Sequence, residues 1–539
     1  MKTMKKYLSM AALALVGAIM TGCSSSDDDS MIDNPQQPES KSKVVTLTTK
    51  VGFDGGATTR ALSSTGKKTF AAGETMALVY KKNTGGSTVK VVSAALTDGD
   101  ITDGGKSATF TFELTDPDKS AKVTYIYPAA MAKADGTVNY AALNSQDGTL
   151  STLSSNLDLA TYTGDWNAGA LPTGTLTNHL AILAMTLKND AGGSNITSSI
   201  TGMTINEGSN TYAISGISSA STIYVAINPT NSANLEITAT DGTKTYAKAL
   251  SGKTYAANNG YNVTWKMAEV ISGKFSVSST KKVYFSKGNL RATTSDKGAN
   301  WTWAFATNQW DKIGGRDQGG SGTLTGNNYI NGNGTLSENG TVDLFGWSTS
   351  ATHLGINNST DNSTYSGTFA DWGEAPEVTA TIGTGWRTLT RVEWEYLLDP
   401  NAKSHRTGMQ YIKAQVNGVN GLIVFPDNWS DSYHHLSSEY VNNNAISFEN
   451  TKITESTWVN DFETHGAVFL PVAGQRHVDN NYVEYPNGRG HYWSSTPYDA
   501  VTAYRVYFSG NSSEWSYGVG SSRRFGYAVR LVRDVTVSE

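Results

Sequence analysis

Cys23 is the single cysteine of this 539-residue chain, so an internal disulfide, a CxxC redox pair and a multi-cysteine metal site are all excluded. Other groups capable of chemistry lie in small clusters. Asp98, Asp100 and Asp103 fall within TDGDITDGG, a composition that invites calcium but lacks the spacing and downstream Glu of an EF-hand loop. The same residues suit a plain turn. Asp371, Glu374 and Glu377 could supply paired carboxylates for glycoside hydrolysis, which depends on their separation in space, or simply line a solvated loop. His434 and His435, with Asp427 and Asp431, are metal-ligating types, yet adjacent residues point oppositely on a strand and no spaced third ligand stands out. The sequence contains no GxSxG elbow, P-loop or HExxH. Residue types alone therefore point away from an enzyme and require no metal or cofactor.

The elements that must position any site read mostly as strands. From Lys43 to about Val270, short runs alternate apolar and polar residues. Val123, Tyr125 and Tyr127 share one face of AKVTYIYP, as do Ile223, Val225 and Ile227 in TIYVAINP; a period of two predicts half-buried strands. Asp241-Gly242 between ANLEITAT and TKTYAKAL predicts a hairpin with a type I′ turn. This spacing fits two small β-sandwiches in tandem, with a boundary near 171–177. From Ser272 onward the character changes. Eleven of the 13 Trp lie in this part, enough large rings to hold loop-rich segments together without regular ladders. One helix is expected there: Thr390 and Glu393 form a capping box, Trp394, Leu397 and Leu398 follow at helical spacing, and Asp399-Pro400 ends it.

Composition narrows the function class. Aromatics make up 10% of residues and the net charge is −5, which excludes a disordered chain and a broad electrostatic grip on nucleic acid. The first residues read as an address. Met1–Lys6 carries Lys2, Lys5 and Lys6, and Tyr7–Met20 is an apolar run too short for a spanning helix. Residues 1–22 read as a secretory signal peptide. MTGC at Met20–Cys23 resembles a bacterial lipobox with Met in place of the usual Leu, which implies acylation of Cys23. Ser24–Ser30, SSSDDDS, resembles the surface-export signal of Bacteroidetes lipoproteins, and residues 23–42 would form a lipidated tether.

TTRAL around Arg60, TNHLAILAMTLK at Thr177–Lys188 and the closing YNVTWKM at Tyr261–Met267 make residues 43–270 similar to the fimbrillin-like pilins of Bacteroidetes. That resemblance implies trimming between Arg60 and Ala61, which opens a groove for a donor strand from a neighbouring subunit. Arg60 is equally consistent with an ordinary loop residue. GWRTLTRVEWEYLL at Gly385–Leu398 resembles the signature helix of formylglycine-generating-enzyme-like domains, which have a C-type-lectin-like fold. FLPVAGQR at Phe469–Arg476, YWSSTP at Tyr492–Pro497 and GYAVRLVRD at Gly526–Asp534 resemble the ends of variable proteins diversified by diversity-generating retroelements. The implied fold class is mainly β: tandem pilin-like β-sandwiches followed by an α+β C-type-lectin-like domain over 271–539. The oxidising chemistry of the enzyme family needs reactive cysteines, and none occurs in that domain.

The diversification these resemblances imply acts mostly at AAC and AAT codons, whose first two bases cannot yield Trp, Met, Lys, Glu or Gln. In 477–525, Lys, Met and Gln are absent, leaving Glu484, Trp493, Glu514 and Trp515 as required invariants. The expected ligand-binding positions are Tyr498, Val501, Thr502, Arg505, Tyr507, Tyr517, Ser521, Ser522, Arg523 and Phe525, a mixture of rigid aromatics, hydroxyls and guanidinium groups typical of binding surfaces. Val501 and Tyr507 could instead alternate inward. The reading that follows is an outer-membrane lipoprotein, surface exposed and placed at a fimbrial tip. It would display a binder of a protein or glycan ligand on a host, microbial or phage surface. Alternatives are a glycan-binding lipoprotein of nutrient uptake and a structural pilin without its own ligand.

Overall fold

The computed structural model describes residues 44–53, 69–315, 326–399, 408–479, 481–510 and 515–535. Cys23, Arg60 and Ala61 lie outside the described residues. The architecture is mainly β. The first sheet runs, edge to edge, through Thr88–Val92, Ala77–Lys81, Val123–Tyr127, Ala160–Gly164, Gly174–Asn178, Val44–Phe53, Ser107–Thr115 and Ile101–Thr102. Leu78, Val123 and Tyr125 from one half share a buried cluster with Val51, Phe110, Phe112 and Leu114 from the other. The sheet therefore folds over on itself as a sandwich, as alternating strands must when each buries one face. Val44–Phe53 is an inner strand: it pairs antiparallel with Ser107–Thr115 from Val44↔Thr115 to Gly52↔Ser107, and parallel with Gly174–Asn178 from Val51↔Gly174 to Phe53↔Leu176.

The second sheet runs through Ile223–Ile227, Ala181–Asn189, Asn259–Val270, Thr245–Tyr255, Thr230–Thr240, Gly202–Glu207, Asn210–Ser215 and Ser145–Gln146. The chain passes from one sheet to the other between Asn178 and Ala181. The handover is not a clean cut, because Ser145–Gln146 pairs with the second sheet and Leu143, Leu153 and Leu157 enter its core. Gln146 pins this excursion, accepting from the Ala226 N–H (2.9 Å) and donating to the Ala226 carbonyl (2.7 Å). A hairpin forms at Asp241-Gly242, but its pairing closes at Thr240↔Thr245, so the turn is longer than the type I′ turn expected. Asp241 Oδ1 accepts from the backbone N–H groups of Thr243 and Lys244 at 2.9 and 2.7 Å. This side-chain cap closes the turn without two left-handed residues.

In the third region, Lys282–Phe285 near its start pairs with Leu531–Val535 at its end. Trp303, Trp347, Trp372, Trp386, Trp394, Trp458 and Trp493 are all fully buried, so large rings fill the space between short strands and loops. The helix Arg391–Leu398 carries the expected capping box: Thr390 Oγ1 accepts from the Glu393 N–H (3.2 Å) and Glu393 Oε2 accepts from the Thr390 N–H (2.9 Å). Arg387 donates to both Glu393 oxygens at 2.7 Å and to Asp534 at 2.6 Å, tying the helix start to the last strand.

This region is welded to the second sandwich. Ala247, Ala268 and Val270 of the sandwich share a core with Val378, Ile382 and Trp386. Arg533 pairs with the buried Asp190 at 3.3 Å, and Glu236 accepts from Tyr284 Oη at 2.6 Å and Lys274 Nζ at 2.5 Å. Among the described residues no helix is long and apolar enough to cross a membrane.

Candidate ligand-binding face of the terminal sheet

Arg489–Pro497, Thr502–Ser509 and Trp515–Ser522 form a three-stranded antiparallel sheet. The turn joining the first two strands is closed by Asp499, whose Oδ1 accepts from the backbone of Val501 (2.9 Å) and Thr502 (2.7 Å). These hydrogen bonds hold the Asp499 carboxyl below its ordinary range. Tyr498, at the turn, is 56% exposed and packs edge-on against Tyr504 at 5.1 Å. A side chain at Gly520 would meet the Tyr498 ring at 2.7 Å, so the glycine lets that ring lie across the sheet.

Directly opposed residues in antiparallel strands share a face, and the register splits the expected positions between two faces. Arg505 opposes Trp493 and Val519, while Tyr507 opposes His491 and Ser516. Tyr517 packs on the other side, with Trp515, against the core that holds Trp394, Val506 and Phe508. Val501, Thr502, Arg505, Tyr507, Tyr517, Ser522 and Phe525 are half-buried, and Val519, which was not on the expected surface, is 53% exposed. The structure does not bring the ten positions onto one plane.

Two of the ten are interior and not on the surface as expected. Ser521 is buried, its hydroxyl 2.6 Å from that of Tyr527. Arg523 is 2% exposed. It donates to the carbonyls of Thr502 (3.1 Å), Tyr365 (3.0 Å), Gly367 (3.1 Å) and Asp499 (2.5 Å), and its guanidinium lies 4.0 Å over the Trp347 ring. The charge is tolerated inside because carbonyl dipoles and an aromatic face replace water. Arg476 and Arg530 are likewise interior. Arg476 donates to the carbonyls of Leu344 and Asn357 at 3.2 Å, and Arg530 to Gln309 Oε1 at 2.8 Å. Burial lowers both guanidinium pKa values to about 10.

What the register assembles is a chain of rings. Tyr482 stacks on His477 (5.3 Å), His477 meets Phe525 (5.4 Å), and Phe525 meets Tyr527 (6.3 Å). Tyr527 stacks on His491 (4.6 Å) and His491 on Tyr507 (4.8 Å). The Arg505 guanidinium caps the pile, 4.7 Å from the Tyr507 centroid and 5.3 Å from that of Tyr527. His477, Tyr482, His491 and Tyr527 were not singled out from sequence. The available signal was the His491-to-Tyr507 opposition, visible only once the turn is placed.

His491 is almost wholly buried, and burial, then Arg505, then Arg489, hold its pKa well below the ordinary 6.5. Arg505 donates to His491 Nδ1, so the ring is a neutral acceptor there. An unfolded His491 binds its proton at a higher pH than the folded one, so stability is complete above pH 6.5 and falls as pH drops below it. The expected loss approaches about 1.4 kcal/mol per pH unit. Melting followed by tryptophan fluorescence between pH 7.5 and 5 should show this slope, and His491→Gln should flatten it; equal slopes in both proteins would count against it.

The other clusters do not converge. His434 Nδ1 pairs with Asp461 at 2.9 Å and His435 Nδ1 with Asp431 at 2.8 Å, whereas Asp427 holds Lys282 at 2.9 Å and Ser276. Asp371 accepts from the backbone of Thr388 (2.9 Å) and Gly373 (3.0 Å), and Asp100 closes its own turn through the Thr97 N–H (2.8 Å). Among the described residues no group of three or more His, Cys, Asp or Glu is placed to hold a metal ion.

A family model described as a domain of unknown function (DUF8237) matches residues 423–532, which include the terminal sheet. No curated protein matches the chain. Solved structures to which it is similar include a fimbrial assembly protein of Parabacteroides distasonis, at 14% identity and TM-score 0.24, covering 45% of this chain and 94% of that one. A candidate cell adhesion protein of Bacteroides fragilis is similar at 10% identity and TM-score 0.25, covering 50% and 99%. Another from Bacteroides uniformis is similar at 15% identity and TM-score 0.24, covering 43% and 94%.

Proposed function

We propose that this chain is a surface adhesin of pilin type whose C-terminal region displays an exchangeable ligand-binding face. Cys23, acylated, anchors it to the outer membrane. The two sandwiches form the stalk, trimmed between Arg60 and Ala61 so that a neighbouring subunit can add a donor strand. The ligand-binding residues are Tyr498, Val501, Thr502, Arg505, Tyr507, Ser522 and Phe525 together with Val519, spread over both faces of the terminal sheet and its turn, and they recognise a protein or glycan on another surface. A fimbrial tip suits such a subunit, since its free end must point outward.

The observation that supports this reading most is the division of labour at the terminal sheet. Arg476, Arg523, Arg530, Tyr492 and Trp493 are interior and bond backbone carbonyls or core amides. Tyr498 and Val519 stand in solvent on the same short segment. Stability and recognition then rest on different atoms, which is what a face that changes without unfolding requires. Arg523 bonds the carbonyls of Thr502 and Asp499 at the turn, whereas Arg476 and Arg530 bond the surrounding frame at Leu344, Asn357 and Gln309.

Sequencing this gene across sister isolates tests the reading. Substitutions should concentrate in the codons of 477–525, at the outward positions, with Trp493, Glu484 and Arg523 constant. A reverse-transcriptase gene beside a near-copy of that segment, differing opposite adenines, should accompany them. Substitutions spread evenly along the chain, or concentrated at interior positions, would overturn it.

A further inference from the structure

At the end of the terminal sheet away from the Asp499 turn, Arg489 pairs with Ser509. Immediately before it, Tyr485 has φ +50° and Asn487 φ +61°. Asparagine tolerates this left-handed region, but a bulky aromatic rarely enters it. The turn is nevertheless clamped. The N–H groups of Gly488 and Arg489 donate to the Tyr485 carbonyl at 2.9 and 3.1 Å, and Asn487 donates to Val472 at 3.2 Å. From the strand Val419–Val424 of a different sheet, Asn420 donates its backbone N–H to Asn487 Oδ1 and its Nδ2 to the Asn487 carbonyl, both at 2.8 Å. The fold thus holds an aromatic ring outward at the cost of backbone strain, a combination that tends to mark ligand sites. Tyr485 is 45% exposed, and the Arg489 guanidinium sits 3.8 Å from its ring centroid.

The ring lines an open cleft of about 380 Å³ shared with Ser447, Glu449, Asn487, Arg489 and Ser509, within the ~300–1,000 Å³ of small-ligand sites. Its chemistry is selective. The rings of Tyr485 and Phe448 are set beside a carboxylate, amides, hydroxyls and a guanidinium, with no aliphatic side chain in the wall. An acyl chain would find no aliphatic side chain to lie against there, and a phosphate would meet the exposed Glu449 carboxylate. A pyranose offers the matching pattern: a face of C–H groups to lie on the ring, and an edge of hydroxyls that both donate to Glu449 and accept from an amide.

We infer that this cleft is a carbohydrate subsite, taking a pyranose residue of a neutral glycan on Tyr485 with its hydroxyls turned to Glu449 and Asn487. It lies at the end of the sheet away from the Asp499 turn, apart from Tyr498 and Arg505, so this inference and the proposed function can fail independently. The test is saturation-transfer NMR on the full chain, with methyl α-mannopyranoside, methyl β-galactopyranoside and N-acetylglucosamine as probes at concentrations near a Kd of about 1 mM, the weak end of the scale. At least one should receive saturation at its ring protons. Tyr485→Asn, which suits the left-handed turn and removes only the ring, should bring the signal to background. Glu449→Gln should lower it severalfold, while Tyr140→Ala, at a comparably exposed tyrosine of the sandwich region, should leave it unchanged. No transfer to any of the three sugars, or transfer that survives Tyr485→Asn, would overturn the inference.

Discussion

Replacing Arg523 by methionine is expected to destabilise the C-terminal region by about 2–4 kcal/mol, since its charge-assisted hydrogen bonds to backbone carbonyls and its contact with the Trp347 ring are lost. Methionine keeps much of the stem but strands the buried Tyr365 carbonyl and removes the donor from the more open carbonyls of Gly367 and Asp499, whereas the Thr502 carbonyl still accepts from the Tyr498 N–H. Each buried polar atom left without a partner costs roughly 1–3 kcal/mol. The stacking on Trp347 goes as well. Denaturant unfolding followed by tryptophan fluorescence reads this region preferentially, because 11 of the 13 Trp lie in it. Tyr498→Ala, a few residues from the same turn, should shift the midpoint by no more than about 0.5 kcal/mol, as exposed positions do. If the two variants unfold alike, the separation of frame from face is wrong.

A chain beginning at Ala61 should leave the monomer pool. It lacks Val44–Phe53, the inner strand that pairs with Ser107–Thr115 and Gly174–Asn178. Removing it uncovers two rows of backbone donors and acceptors and the apolar seat of Val51. Lost ladder bonds at about 1 kcal/mol each add up to a sum on the order of the ~5–15 kcal/mol that keeps a domain folded. Exposed strand edges recruit other strands, so light scattering should show oligomers or aggregates. A peptide of the sequence VVTLTTKVGF added in trans should restore the monomer. A monodisperse, normally melting truncated chain would remove the mechanical basis of donor-strand addition.

Particular elements explain how much could be read in advance. The helix after Thr390 was legible because its capping box and apolar spacing are local, and the strands around Tyr125 and Val225 because a period of two is local. The hairpin at Asp241 was legible as a reversal but not as a turn type, since Asp241 supplied a side-chain cap in place of unusual backbone angles. Arg523 was misjudged for a different reason. SSRRF looks like surface, and nothing nearby announces that Tyr365 and Gly367, more than 150 residues earlier, present carbonyls to the guanidinium. Its neighbour Arg524 is only half-buried. Faces of the terminal sheet were equally out of reach, because the register shift between Arg505 and Tyr507 decides which side Tyr517 takes. Tyr485 was missed because its outward pose depends on Asn420, on a strand far away in sequence.

The weld between the second sandwich and the Trp-rich region bears on how the molecule would behave when pulled. In the proposed adhesin, tension between a bound ligand and the cell would enter the C-terminal region beside Lys282–Phe285, whose partner is the last strand. The Asp190–Arg533 and Glu236–Lys274 contacts brace that same spot from the sandwich side. A hinge here would let the tip swivel and peel one contact at a time. A braced joint makes the contacts share the load, so a tether of this kind should lose its grip at the ligand before its own joint gives way.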